Sequence, residues 1–446
     1  MEAMMTDTTE PSGWLEKDDR SIREIHRYMD DHDLDVFIPW KQAHLAYLLN
    51  YYDKLHSTEI PWYEMGALLA IPRHTDAFLC GAILHWVGLP QDHLGPWWLS
   101  EFYEDWGPME SVIDTMVAQL SRKGLATGRI GIELNWVPAA VFQYLRSKLP
   151  GAELVAADWI VPQIRFIKTP RERTIMAHAA SSGLRCMERY MQALRNGSNR
   201  EYAELLRARH ALDYGCEFVG GARRINWTGG PDNTAAWWDP AIRQAYEADP
   251  VGKTWNDSAF DAPIYVSHIE TRYHYYYADL AWHKFIGPPP TDDTILDWGI
   301  KTASHDGGTV SGRTEKPSFA ELREDFRVIR RVQSEAIQCI RPGMDQFEAK
   351  RAVEAFLAAD SEAARHITMY FLHSLGLEIH EEPILAGRKV PDTSLPVPAD
   401  HPIYYRPGAV ISSEWFTDFW TVEEPFELTE HGWRPLIELH DICDLQ

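Results

Sequence analysis

Thr169-Pro170-Arg171-Glu172 is the segment that most limits what this chain can build. Thr169 can cap a helix, Pro170 suits a first helical turn where its missing N–H is not needed, and Glu172 closes a capping box. Ile175, Met176, Ala179, Leu184, Met187, Met191 and Leu194 then recur at helical spacing as far as Gly197. A long amphipathic helix that starts this firmly in mid-chain splits the sequence into two folding problems.

Before it the patterns alternate. Ile22, Ile25 and Met29 have helical spacing, Asp35 to Pro39 reads as a buried strand, and Ala43 to Leu49 reads as a helix. Arg129 to Glu133 is a short strand, and Val141 to Leu149 an amphipathic helix. This predicts a smaller α/β domain over residues 1–160 with a mixed or parallel sheet. After the break, helices are expected near 200–213, 319–340 and 345–358, the last opened by Asp345 with Glu348 three positions on. Strand-rich aromatic stretches fill 262–286, 367–385 and 409–428. Helices grouped against strands predict an α+β domain over residues 161–446.

Composition narrows the partners. With 43 Lys+Arg against 66 Asp+Glu, the net charge is −23, which disfavours nucleic acid and anionic membranes. No window approaches the ~18 consecutive apolar residues of a membrane span. The start, Met1 to Asp7, lacks the basic and apolar segments of a secretory signal. Cys80, Cys186, Cys216, Cys339 and Cys443 are scattered and form no CxxC pair, so reduced thiols and a cytoplasmic location are expected.

Several segments together resemble the creatinase, prolidase and aminopeptidase P superfamily, whose "pita-bread" members include methionine aminopeptidase. Arg165 to Glu172 is similar to its domain junction, Ala43 to Tyr52 and Ile130 to Glu133 to landmarks of its N-terminal domain. Ile340-Arg341-Pro342-Gly343-Met344 resembles a turn between two catalytic-domain helices, and Arg406 to Val410 the approach to the last strands. The resemblance runs from about residue 20 to 440. It implies a pita-bread catalytic domain behind a creatinase-type N-terminal domain, and a homodimer.

The metal site follows by resemblance, one position at a time. His373-Ser374-Leu375-Gly376-Leu377-Glu378-Ile379-His380-Glu381-Glu382-Pro383 matches the family's His-x-x-Gly-Leu-x-x-His-Glu-x-Pro motif. There the first His binds metal and the second faces the substrate. Asp279 matches the bridging Asp, Glu414 and Glu423 the two Glu ligands, and His268 stands where the family has its first Asp. Such a set suits one or two divalent ions, and its imidazole biases it toward Mn, Fe, Co or Zn. Glu270 and His274 are local alternatives to His268, and Asp418 an alternative within the short Glu414–Glu423 interval.

The aromatic residues sharpen the functional reading. The chain has 18 Trp, and Trp237, Tyr277, Trp282 and Trp415 fall beside the proposed ligands. Trp237 lies in the region that follows Gly229 to Ala235, and Trp282-His283 replaces the usual Arg-Thr pair. Rings beside carboxylates suit a compact cation, through cation–π attraction, or an apolar group. The leading expectation is therefore an enzyme cleaving a C–N or C–S bond of a small zwitterionic or cationic substrate, like creatinase or dimethylsulfoniopropionate lyase. His380, Glu381 and Glu414 are its candidate acid–base groups. The alternatives are an Xaa-Pro aminopeptidase or prolidase acting on short peptides, and a metal-free pseudoenzyme that only binds.

Overall fold

The computed structural model describes residues 20–49, 67–81, 99–196, 198, 200–216, 218–219, 264–285, 291–294, 302–303, 309–310, 318–388, 400–417 and 420–437. The chain divides into two compact units, Met1–Arg165 and Phe166–Gln446.

In the first unit the order is α1 (Arg20–Asp31), β1 (Val36–Ile38), α2 (Gln42–Leu49), β2 (Ala67–Pro72), β3 (Phe78–Gly81), β4 (Glu101–Glu104), α3 (Met109–Arg122), β5 (Arg129–Ile132), α4 (Ala139–Lys148), β6 (Glu153–Ala156) and α5 (Ile160–Phe166). The strands form one sheet in the order β4-β3-β2-β1-β5-β6. β1 pairs antiparallel with β2 and parallel with β5, so the sheet is mixed, as the βα alternation predicts. Every residue of β1 is buried, the pattern of a strand covered on both faces. Val36, Ile38, Ile130 and Ile132 pack with Val112, Ile113, Met116 and Leu120 of α3.

Residues just past 160 still belong to this unit. Gln163 accepts a hydrogen bond from the Tyr28 hydroxyl at 2.7 Å, and Trp159 meets Tyr28 edge-on. The interior also holds a carboxylate. Glu133 is fully buried, accepts the Trp40 and Lys41 N–H groups at 2.6 and 2.7 Å, and touches His44. Burial pushes its carboxyl up to about 7, although those N–H groups oppose the shift.

The second unit opens with the helix that the Thr169 cap announces, α6 (Pro170–Arg195). Both halves of the capping box are made: Glu172 N–H to Thr169 Oγ1, and Thr169 N–H to Glu172 Oε2. Then come α7 (Arg200–Asp213), β7 (Phe218–Val219), β8 (Ile264–Tyr273), β9 (Tyr276–Phe285) and the short pair β10 (Thr302–Ala303) and β11 (Thr309–Val310). Three helices follow, α8 (Phe319–Ile337), α9 (Gln346–Ala359) and α10 (Ser361–His366). Ser318 with Glu321 and Asp345 with Glu348 box the starts of α8 and α9. The chain ends in β12 (Met369–Ser374), β13 (Glu381–Arg388), β14 (Val410–Phe416), β15 (Thr421–Thr429) and β16 (Gly432–Pro435).

These last strands form a five-stranded sheet ordered β13-β12-β14-β15-β16, while β7-β8-β9 form a separate three-stranded one. In antiparallel pairs, directly opposed residues share a face, and alternate residues face opposite sides. Glu414 opposes Phe371 on one side and Glu423 on the other, and His373 opposes Ser412, so these five share one face. Tyr370, Trp415 and Val422 occupy the other, with Leu322, Phe326, Ile329 and Val332 of α8 in the same core. α8 therefore closes one face, and β9 packs against β15. The polar face looks toward the β8–β9 sheet.

Candidate metal centre

The β8–β9 hairpin presents Asp279. Its two turn residues, His274 and Tyr275, have φ of 45° and 71°, as a turn that follows the strand twist requires. The register sets Glu270 opposite Asp279, Arg272 opposite Tyr277 and His268 opposite Ala281. The Tyr277 N–H reaches across to the Gly376 carbonyl at 2.6 Å, tying the hairpin to the loop between β12 and β13. From that loop comes His380, which is exposed, while His373 at the end of β12 is fully buried. The two imidazoles meet edge-on with centroids 4.5 Å apart. Asp279, His373 and His380 each bring a ligand atom within 4.8 Å of the others.

Glu423 stands behind this group, with Oε1 3.3 Å from His373 Nε2. Glu414 lies directly across the ladder from Glu423. The Ser412 hydroxyl donates to Glu423 Oε1 at 2.8 Å, with the Asp279 carbonyl as a second acceptor at 3.3 Å.

A metal ion fits these residues on the chemistry of one contact. His373 Nδ1 is 3.0 Å from the Ser374 carbonyl, which can only accept, so Nδ1 carries the proton. The other nitrogen, Nε2, faces the Glu423 carboxylate at 3.3 Å. An imidazole nitrogen and a carboxylate oxygen this close in a buried place hold a cation between them, and either a proton or a divalent metal ion fits that donor pair. One imidazole, a second on the rim and three acidic side chains make a mixed N/O set for a divalent ion.

The structure redistributes several expected roles. Glu381 is not offered to a substrate as a base: its carboxylate is buried and held by Lys168 Nζ at 2.9 Å. Trp415 is not a pocket wall. Strand alternation turns it to the α8 face, where it is fully buried, stacks on Tyr370 and donates its indole N–H to Ser413 Oγ at 2.9 Å. His274 occupies the hairpin turn, where burial with His178 and Arg171 nearby pushes its imidazole down to about 4, and it is outside the three-residue group. Tyr277 shares the hairpin face of Asp279 and accepts from Arg272 Nη1 at 3.2 Å. Trp237 and Asp418 lie outside the described residues, as do the side chains of His268 and Trp282, whose backbones run in β8 and β9.

Two contributors were not singled out from sequence. Ser412 precedes Glu414 by one strand period, so a two-residue count back from the ligand finds it. Lys168 sits in the junction segment, but nothing local points to a partner more than 200 positions away.

Comparison with known proteins gives the family. Residues 22–167 match the Creatinase/Prolidase N-terminal domain, and residues 174–438 match metallopeptidase family M24. The chain belongs to metallopeptidase family M24 and is a metal-dependent hydrolase of the pita-bread superfamily. Its fold is similar to that of the prolidase from Pyrococcus horikoshii OT3 (TM-score 0.61, 15% identity, 96% of this chain and 99% of that one). It is also similar to the X-Pro aminopeptidase from Thermotoga maritima MSB8 (0.57, 16%, 95% and 98%). A third likeness is to an Xaa-Pro dipeptidase from Bacillus anthracis (0.58, 15%, 93% and 96%). No curated protein matches the chain significantly in sequence. Among the described residues, no helix is long and apolar enough to cross a membrane.

Proposed function

We propose that this chain hydrolyses short peptides of the Xaa-Pro type with a divalent transition metal held by Asp279, His373, Glu414 and Glu423. The observation that carries the reading is the convergence of Asp279, His373 and His380, backed by Glu423, in a chain of this family. The solved structures it resembles carry prolidase, aminopeptidase and dipeptidase names. A small non-peptide substrate has less support. Of the rings proposed to wall a pocket for such a substrate, Trp415 belongs to the core.

When bound, a divalent ion polarises the scissile carbonyl and makes water acidic enough to act as a nucleophile near neutral pH. The protein's own groups then divide the work. His373 is oriented by its Nδ1–H bond to Ser374, so its other nitrogen points into the centre. His380, on the exposed rim, donates a ring N–H to the carbonyl oxygen and to the oxyanion that develops there. Glu414 takes the proton of the attacking water and delivers it to the departing nitrogen.

The test is turnover by protein stripped with a chelator and reloaded separately with Mn, Fe, Co or Zn. Xaa-Pro dipeptides and tripeptides should be cleaved, and His380→Ala should lower kcat by about 10²–10³. Turnover of creatine-like or sulfonium zwitterions without any Xaa-Pro cleavage would overturn the reading.

A further inference from the structure

We propose that Lys168 is a positioning residue, one buried ammonium that sets the separation of His373 and His380. The idea rests on the reading that His373 holds the metal ion and His380 faces the substrate beside it. Lys168 lies just ahead of α6, with a side chain only 1% exposed. Its Nζ is 2.9 Å from Glu381 Oε2 and 3.4 Å from Ser374 Oγ. Ser374 follows His373 in the chain, and Glu381 follows His380. The two contacts therefore grip the residues next to both histidines and bracket the loop between them.

That loop needs such a grip. The β12–β13 ladder slips between His373, which opposes Ile384, and Ser374, which opposes Glu381. At an irregularity of this kind, regular backbone pairing no longer fixes one strand against the other. The clamp takes over where the ladder stops. Glu381 Oε1 also accepts the Glu378 N–H at 3.2 Å. A Cβ on Gly376 would come within 2.5 Å of that oxygen, so the loop wraps closely around the carboxylate.

Lys168 is itself held firmly. Its N–H donates to the Gly408 carbonyl at 2.8 Å, and its own carbonyl accepts from Arg173 Nη1 at 2.7 Å. Ile167 bridges Ala409, immediately before β14. The ammonium thus refers the histidine loop to the strand that carries Glu414. A buried ion pair is a weak source of net stability compared with apolar packing of the same volume. Geometry, more than stability, accounts for its presence.

The experiment compares wild type with Lys168→Met/Glu381→Met, which removes both charges together, and with Glu381→Gln, which keeps shape and an acceptor. Mn²⁺ affinity is measured by competition with a chelating dye, with no substrate present, and unfolding of the metal-free proteins is followed in parallel. The double variant should unfold close to wild type without metal yet bind Mn²⁺ about 10–100-fold more weakly. Glu381→Gln should fall between the two. On Xaa-Pro peptides, kcat should drop while KM stays within about twofold, because substrate binding is intact and His380 is displaced. Wild-type affinity in both variants would overturn the clamp, as would a loss of affinity no larger than the loss of metal-free stability explains. Wild-type protein that binds no Mn²⁺ would instead overturn the site reading beneath it.

Discussion

Glu423→Gln should change the sign of its effect with metal. Glu423 Oε1 faces His373 Nε2 at 3.3 Å, while Nδ1 lies 3.0 Å from the Ser374 carbonyl. Without metal, and at a pH where the imidazole carries a single proton on Nδ1, an amide in place of the carboxylate can turn its NH₂ toward Nε2 and make a hydrogen bond where two acceptors would otherwise meet. The Ser412 hydroxyl, which now donates to Oε1, has the Asp279 carbonyl at 3.3 Å as its alternative. Relieving one poorly matched buried polar contact is worth about 1–3 kcal/mol, so the metal-free variant should be more stable by roughly that amount. With metal the balance reverses. Losing a charged ligand should weaken affinity by at least about 10–100-fold, or ~1.4–2.8 kcal/mol. Wild type at 100 times its dissociation constant should gain about 2.7 kcal/mol from the ion, and the variant much less. Urea unfolding of both proteins, chelated and Mn²⁺-loaded, provides the four numbers. Equal destabilisation of the variant in both states would refute the argument that a cation belongs between these groups.

Other perturbations test separate parts of the structure. Trp415→Ala should cost about 3–5 kcal/mol of stability in denaturant unfolding and leave KM unchanged, because the ring fills the α8-side core; a raised KM at wild-type stability would return the residue to the pocket. Glu133 has its carboxyl raised from 4.5 to about 7 by burial, so the folded state holds an extra proton between those values. Stability should therefore fall as pH rises through that window, by up to about 3 kcal/mol. Glu133→Gln should flatten this slope between pH 5 and 8, as read from melting temperatures. Asp360 caps α10 through the Glu362 and Ala363 N–H groups and pairs with Arg331, which holds its carboxyl at about 2. Asp360→Ala should cost about 1–2 kcal/mol at neutral pH. Because the pKa is lowered, that difference should shrink only as the pH falls from about 4 toward 2.

Features written in neighbouring residues could be read directly. The Thr169 box, the α1 stripe of Ile22, Ile25 and Met29, and the capping pair at Asp345 all depend on spacings of a few residues, and all form. The eleven-residue His373–Pro383 motif likewise carried its two histidines together. What escaped depends on register between distant strands. Trp415 and Glu414 are adjacent in sequence, yet strand alternation sends one to the core and the other to the polar face. The role of Glu381 is decided by Lys168, a partner 213 positions away, which no local pattern encodes. The Glu414–Glu423 interval is short in sequence, and in the structure that spacing sets the two carboxylates directly opposite.

The tight turn at His274 and Tyr275 limits how this hairpin can change length. Side chains alternate along β9, so inserting one residue at the turn while β8 stays in place would rotate Asp279 to the opposite side. Inserting two would restore the orientation and move the carboxylate along the strand instead. Lineages that lengthen this loop while keeping a working centre should therefore do so in even steps, or add a bulge that resets the count.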